Sequence, residues 1–169
     1  MEIYILRHGV AEEPQSGQPD SDRALTTDGR KKLRHVLRVA ASTGVAPSLI
    51  LTSPYKRAVQ TAQLAAELLG YQGELLRTKA LEPSSSSKIV WDEIRVHKDE
   101  SRILLAGHEP LMSRLTAYLL GSESLEVDFK KGAMVCVELE RFPADPHGVL
   151  RWMLTPKLAA GQRAPKPAS

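Results

Sequence analysis

The chain has 169 residues, of which 42% are hydrophobic and 25% charged, the size and balance of one globular domain with a sizeable core. Its formal charge of +3, from 23 basic and 20 acidic residues, suits an anionic ligand and falls short of the basic stripe that nucleic acid asks for. One cysteine, Cys136, excludes an intrachain disulfide and a multi-cysteine metal site. No apolar run approaches the roughly 20 residues of a membrane span, and no signal peptide is read at the start. The expectation is a cytoplasmic protein with neither nucleic acid nor membrane as partner.

The run Ile3-Tyr4-Ile5-Leu6 predicts a short buried strand. It hands over to Arg7-His8-Gly9 where turn formers such as Asn, Asp or Ser are usual. A polar loop spans Val10 to Arg23. Thr26-Thr27 supply N-caps with Asp28 in the first turn, and Leu33, Val36, Leu37, Ala40 and Ala41 share one helix face. Leu49-Ile50-Leu51 is a second strand, after which Ser53-Pro54 is read as the cap and first position of a second helix. Its stripe is Ala58, Ala62, Ala65 and Leu69, with Gly70 at its end.

A short strand is read around Leu75-Leu76, then Leu81-Glu82-Pro83, the serine run from Ser84 to Ser87, and a weaker helix from Lys88 to His97. Ile103-Leu104-Leu105-Ala106 is another buried strand, ending at Gly107-His108-Glu109-Pro110, where Pro110 opens a helix carrying Leu111, Leu115, Tyr118 and Leu119. Ala133 to Leu139 and Val149 to Leu154 form a late strand pair. The composition beyond Pro156 predicts a disordered basic tail over 157–169, leaving 1–156 as a single domain. Helical connections between early strands imply parallel pairing, and the last pair an antiparallel edge. The fold class is α/β: a three-layer α/β/α sandwich with a mostly parallel central sheet.

Ligands of open α/β sheets bind beyond the carboxyl ends of the strands. Three such ends carry Arg7-His8-Gly9, Thr52-Ser53-Pro54 with Arg57 just inside the next helix, and Gly107-His108-Glu109. Two guanidinium forks suit phosphate oxygens, helix N-termini add amide donors, and a neutral imidazole is a nucleophile able to form covalent intermediates. Gly9 is read as letting backbone approach the bound group. Any one strand end reads equally well as polar residues where a strand meets solvent, and their coincidence is what carries weight.

These blocks, together with Arg57-Ala58, Gln60-Thr61 and the final Trp152-Met153-Leu154-Thr155-Pro156, resemble the histidine phosphatase (phosphoglycerate mutase-like) superfamily. The segment Asp22-Arg23-Ala24-Leu25-Thr26-Thr27-Asp28-Gly29 looks most like its SixA-type phosphohistidine phosphatases. The resemblance implies a phosphoglycerate mutase-like fold, His8 as phospho-accepting nucleophile, and Arg7, Arg57 and His108 as the phosphate pocket. Arg23 is expected at its rim, although the family's usual proline after that arginine is Ala24 here.

Larger members of the superfamily protonate the leaving group with a glutamate after the third strand, and Glu82 stands at about that place, with a loop or cap carboxylate as the alternative. An imidazole leaving group, whose conjugate acid has a pKa of ~6.5, needs such help far less than an alkoxide. The expected activity is hydrolysis of protein phosphohistidine without metal or cofactor. The partner is then a phosphorylated protein, such as a histidine phosphotransfer domain or similar carrier. Two other readings stay open: a small-molecule phosphomonoesterase or mutase acting on a small phosphorylated metabolite, and a non-catalytic phosphate- or phosphoprotein-binding module. His8 and His108 form no His-x-x-x-His pair, and neighbouring arginines would repel a cation. His35, His97, His147, Cys136, Trp91 and Trp152 are read as solvated or packing residues.

Overall fold

The computed structural model describes residues 1–161. The elements in order are β1 (Glu2–Arg7), α1 (Thr27–Ser42), β2 (Leu49–Thr52), α2 (Lys56–Leu69), β3 (Leu75–Arg77), α3 (Ser87–Val96), β4 (Arg102–Gly107), α4 (Leu111–Leu119), β5 (Met134–Glu138), β6 (Val149–Leu154) and α5 (Pro156–Gly161). Two 3-10 turns, Asp20–Asp22 and Lys79–Leu81, lie in the connections. The strands make one sheet in the order β3-β2-β4-β1-β5-β6. β1 to β4 run parallel, β5 is antiparallel to β1, and β6 is antiparallel to β5. The edge strand β6 therefore points the same way as β1.

Side-chain alternation assigns the layers. Ile3 and Ile5 of β1 enter one core with Trp91 and Ile94 of α3 and Leu111 and Leu115 of α4. Tyr4 and Leu6 enter the other with Leu33, Val36 and Leu37 of α1 and Ala62 and Ala65 of α2. A strand covered on both faces reads as an unbroken apolar run, which is why β1 and β4 stand out in the sequence. Trp91 is wholly buried, stacked on Phe142 with its indole N–H donated to the Pro143 carbonyl at 3.0 Å. Cys136 is buried in β5, where burial first, and then Glu2 and Glu138, push its thiol up to about 12; it packs as a small apolar residue.

Two expectations need correction. α2 begins at Lys56, with Tyr55 as its N-cap, so Pro54 lies in the preceding loop. The Ser53 hydroxyl, which accepts weakly from Tyr55 N at 3.3 Å, is engaged by a histidine from another strand. The chain is also ordered beyond 156: Pro156–Gly161 forms α5, whose Ala159 is buried in the α1/α2 core while its neighbours Leu158 and Ala160 stay exposed. The rest of the expected tail, 162–169, lies outside the described residues.

The N-terminus of α1 is tied closely to the loop after β1. Thr26 Oγ1 accepts from Gly29 N at 2.9 Å, and Thr26 N donates to the Val10 carbonyl at 2.9 Å. A Cβ on Gly29 would collide with the Val10 backbone. One on Gly9 would press on the Gly29 carbonyl at 3.3 Å. Gly9 thus allows α1 to approach the loop.

Candidate active site

β2, β4 and β1 are neighbours, so their carboxyl ends form one edge. The ladder continues one residue past the strands: His8 N donates to Gly107 O at 2.9 Å, and Ser53 N to Ala106 O at 3.0 Å. His8 and Ser53 are thereby fixed by backbone pairing, which is more rigid than loop placement, and His108 follows directly on β4 with its carbonyl accepting from Met112 N at 2.9 Å. His8 is 7% exposed and His108 1%, with ring centroids 5.1 Å apart and planes inclined at 56°.

The His8 tautomer follows from its bonds. Nδ1 lies 2.7 Å from the Gly9 carbonyl, an acceptor only, so Nδ1 carries the proton. Nε2 is left with a lone pair, facing Arg57 Nε at 3.4 Å. Burial pushes the ring's pKa down to about 4, aided by the charges of Arg57, Arg7 and Lys131 and opposed by the Gly9 hydrogen bond. His8 is a neutral imidazole near pH 7.

His108 Nε2 is 2.8 Å from Ser53 Oγ. That hydroxyl also accepts from Tyr55 N at 3.3 Å, and the other ring nitrogen is His108 Nδ1. This nitrogen is buried without a protein partner. Burial, then the proximity of His8 and Arg57, push the His108 pKa down to about 2. The Tyr55 ring meets His108 edge-on at 5.0 Å.

Arg57 is 4% exposed. Beyond its contact to His8, Nη1 donates to the Asp20 carbonyl at 2.7 Å and Nη2 to Asp20 Oδ2 at 2.9 Å. Its backbone carbonyl accepts from Thr61 Oγ1 at 2.7 Å, and the same hydroxyl accepts from Gly9 N at 3.3 Å. Buried Thr61 therefore ties α2 to the loop bearing His8. Arg7 is half-buried; Nη1 donates to the Phe129 carbonyl at 2.6 Å, and Nε is buried without a partner. Burial lowers its pKa, while Glu109 and Asp128 oppose that shift, and a guanidinium stays cationic throughout the working range.

Of the residues expected from sequence, His8, Arg57 and His108 meet directly, and Arg7 and Gly9 adjoin them in β1 and its loop. Arg23 reaches the group only through Asp20, whose Oδ1 accepts from Arg23 Nε at 2.7 Å. Glu82 caps the 3-10 turn after β3 and is half-buried; it belongs to the loop next to β4, since the Leu81 carbonyl lies 3.5 Å from where a Gly107 Cβ would be. Glu109 is occupied in capping α4, accepting from Ser113 N at 2.8 Å and Ser113 Oγ at 2.7 Å. Sequence reasoning missed Asp20 and the bridging role of Thr61. The signal for Asp20 is its i, i+3 spacing to Arg23; for Thr61 it is a buried hydroxyl in the alanine stripe. Among the described residues no cluster of His, Cys, Asp and Glu has the arrangement of a metal site.

This arrangement pairs a lone-pair nitrogen with guanidinium donors at the end of a parallel sheet. The model of the histidine phosphatase superfamily (branch 1) matches residues 3–82. An uncharacterized protein of Picosynechococcus is 31% identical over 137 residues, covering 80% of this chain and 83% of its own. The phosphohistidine phosphatase SixA of Escherichia coli is 27% identical over 158 residues, covering 92% and 94%. The solved structure of the protein histidine phosphatase SixA complexed with tungstate superposes with a TM-score of 0.83 at 25% identity, covering 93% of this chain and 98% of that one. With motifs, fold and relatives in agreement, the chain is a phosphatase that belongs to the histidine phosphatase superfamily (branch 1).

Proposed function

We propose that this phosphatase hydrolyses phosphohistidine on a partner protein through a covalent phospho-His8 intermediate, with no metal. The state of His8 supports this most: its proton is held on Nδ1 by the Gly9 carbonyl, its lone pair is on Nε2, and a guanidinium N–H lies beside that atom. The buried Arg7 Nε and His108 Nδ1 lack protein partners, and buried polar atoms left unpaired at a site call for a ligand. The oxygens of a phosphoryl group would accept from Arg7 Nε, and from His108 Nδ1 when the ring's proton is there.

In the first step the Nε2 lone pair attacks phosphorus while the P–N bond to the substrate imidazole breaks, and the released imidazole takes a proton from solvent. Water then attacks the phosphorus of phospho-His8 and gives a proton to solvent. The P–Nε2 bond breaks, phosphate departs and Nε2 regains its lone pair. Arg7, Arg57 and His108 spread the charge of the transferring oxygens, which is the main demand of phosphoryl transfer. The likeness to SixA over nine-tenths of the chain supports the substrate class. The test compares kcat/KM for a phosphorylated histidine-carrier protein and for a generic aryl phosphate. A preference for the carrier is expected, and an equal or lower value on it would favour small phosphomonoesters.

A further inference from the structure

We propose that Asp20 is a positioning residue for phosphoryl transfer, which turns one chosen edge of the Arg57 guanidinium toward His8; this deepens the phosphatase reading and rests on it. A guanidinium has two bidentate edges, one formed by the two terminal nitrogens and one by Nε with Nη2. Asp20 takes the terminal edge, with its carbonyl on Nη1 at 2.7 Å and its Oδ2 on Nη2 at 2.9 Å. What remains is the Nε–H and the second Nη2 hydrogen, and Nε is the atom that faces His8 Nε2 at 3.4 Å. The Tyr55 ring lies 5.2 Å from the guanidinium centre and limits its tilt. When phosphorus bonds to Nε2, the Nε–H passes from the imidazole lone pair to a phosphoryl oxygen without rotation of the side chain.

Asp20 is itself braced from outside. Its Oδ1 accepts from Arg23 at 2.6 and 2.7 Å, and Arg23 Nη1 donates to the Glu12 carbonyl at 2.9 Å. The Asp20 side chain is 55% exposed and that of Arg57 only 5%. Asp20 thus reaches from solvent to a buried guanidinium and holds it in one orientation. The consequence is a chain of three charges, Arg23–Asp20–Arg57, that extends from the rim to the nucleophile.

The test is a double-mutant cycle read on an aryl phosphate, so that failure of the phosphohistidine assignment leaves the result interpretable. Asp20→Ala, assayed well below its melting temperature, is expected to lower kcat about tenfold, since small misplacements of a catalytic group cost rate. Asp20→Asn, which keeps an oxygen for Nη2, should recover part of the loss. In an Arg57→Lys background, where there is no fork to orient, Asp20→Ala should cost less than about twofold. Equal losses in both backgrounds would show a merely structural role. An unchanged or increased kcat for Asp20→Ala would overturn the proposal, the increase by showing that Asp20 competes with the phosphoryl group for Arg57.

Discussion

Arg57 Nε lies 3.4 Å from His8 Nε2, across the gap between the start of α2 and the end of β1. Two residues 49 positions apart in the chain thus place a fixed positive charge beside a lone pair that the Gly9 carbonyl directs outward. On this reading His8→Ala should abolish turnover while the protein remains folded, because the residue sits past the strand and outside both hydrophobic cores. Rapid acid-free quenching of the wild type should trap acid-labile phosphate on His8. Label on a serine, or none within one turnover, would rule out the covalent route.

Arg7→Ala and Arg57→Ala should each lower kcat by about 10²–10³, the usual cost of removing a preorganised donor to a transition-state oxyanion. Arg23→Ala should lose much less, since Arg23 acts only through Asp20. Equal losses at all three positions would put the pocket in the wrong place.

The histidine pKa values set a pH window. Both folded values lie below the ordinary 6.5, at about 4 for His8 and about 2 for His108, so between those values and 6.5 the unfolded chain binds more protons than the folded one. Stability therefore rises with pH across that window and is lost as pH falls through it; above it, both rings are neutral in both states. Nitrogen-15 imidazole shifts should show His8 neutral and protonated on Nδ1 down to about pH 4. His8→Gln should flatten the slope of unfolding free energy in urea between pH 4 and 6.5. Titration of His8 near 6.5 would refute the assignment.

Glu82 separates substrate classes. Glu82→Gln should leave dephosphorylation of a phosphohistidine protein within about twofold, yet slow an alkyl phosphomonoester about 10²-fold, because only the alkoxide needs a proton as it departs. The comparison requires conditions in which phosphoenzyme formation limits the rate. A large and equal loss on both substrates would make Glu82 a general acid or a structural group whatever the leaving group.

Gly29→Ala gives a test of opposite sign to propensity. At an exposed helical position the change stabilises by about 1 kcal/mol. Here the new methyl would meet the Val10 backbone, and overpacking of this kind costs about 1–3 kcal/mol. Urea denaturation should show the loss, together with reduced activity as the loop after His8 is displaced. A gain in stability would mean that the loop yields freely.

The elements that carry the chemistry were legible because each is a local pattern. β1 and β4 are unbroken apolar runs with both faces covered, and each ends in the residues that matter; α1 announces itself by Thr26 and one periodic face. Tertiary structure alone decided which strand ends adjoin, since the order β2-β4-β1 arises from pairing between segments about 50 and 100 residues apart. The start of α2 was misread because Ser53 answers to His108, 55 residues away, instead of capping the helix next to it. Asp20 lay hidden in a polar loop whose composition says nothing about an arginine 37 residues on. The order of Pro156–Gly161 depended on a single buried alanine. Propensity and periodicity act over a few residues, and the contacts that tune the imidazole and aim the guanidinium form only when distant segments meet.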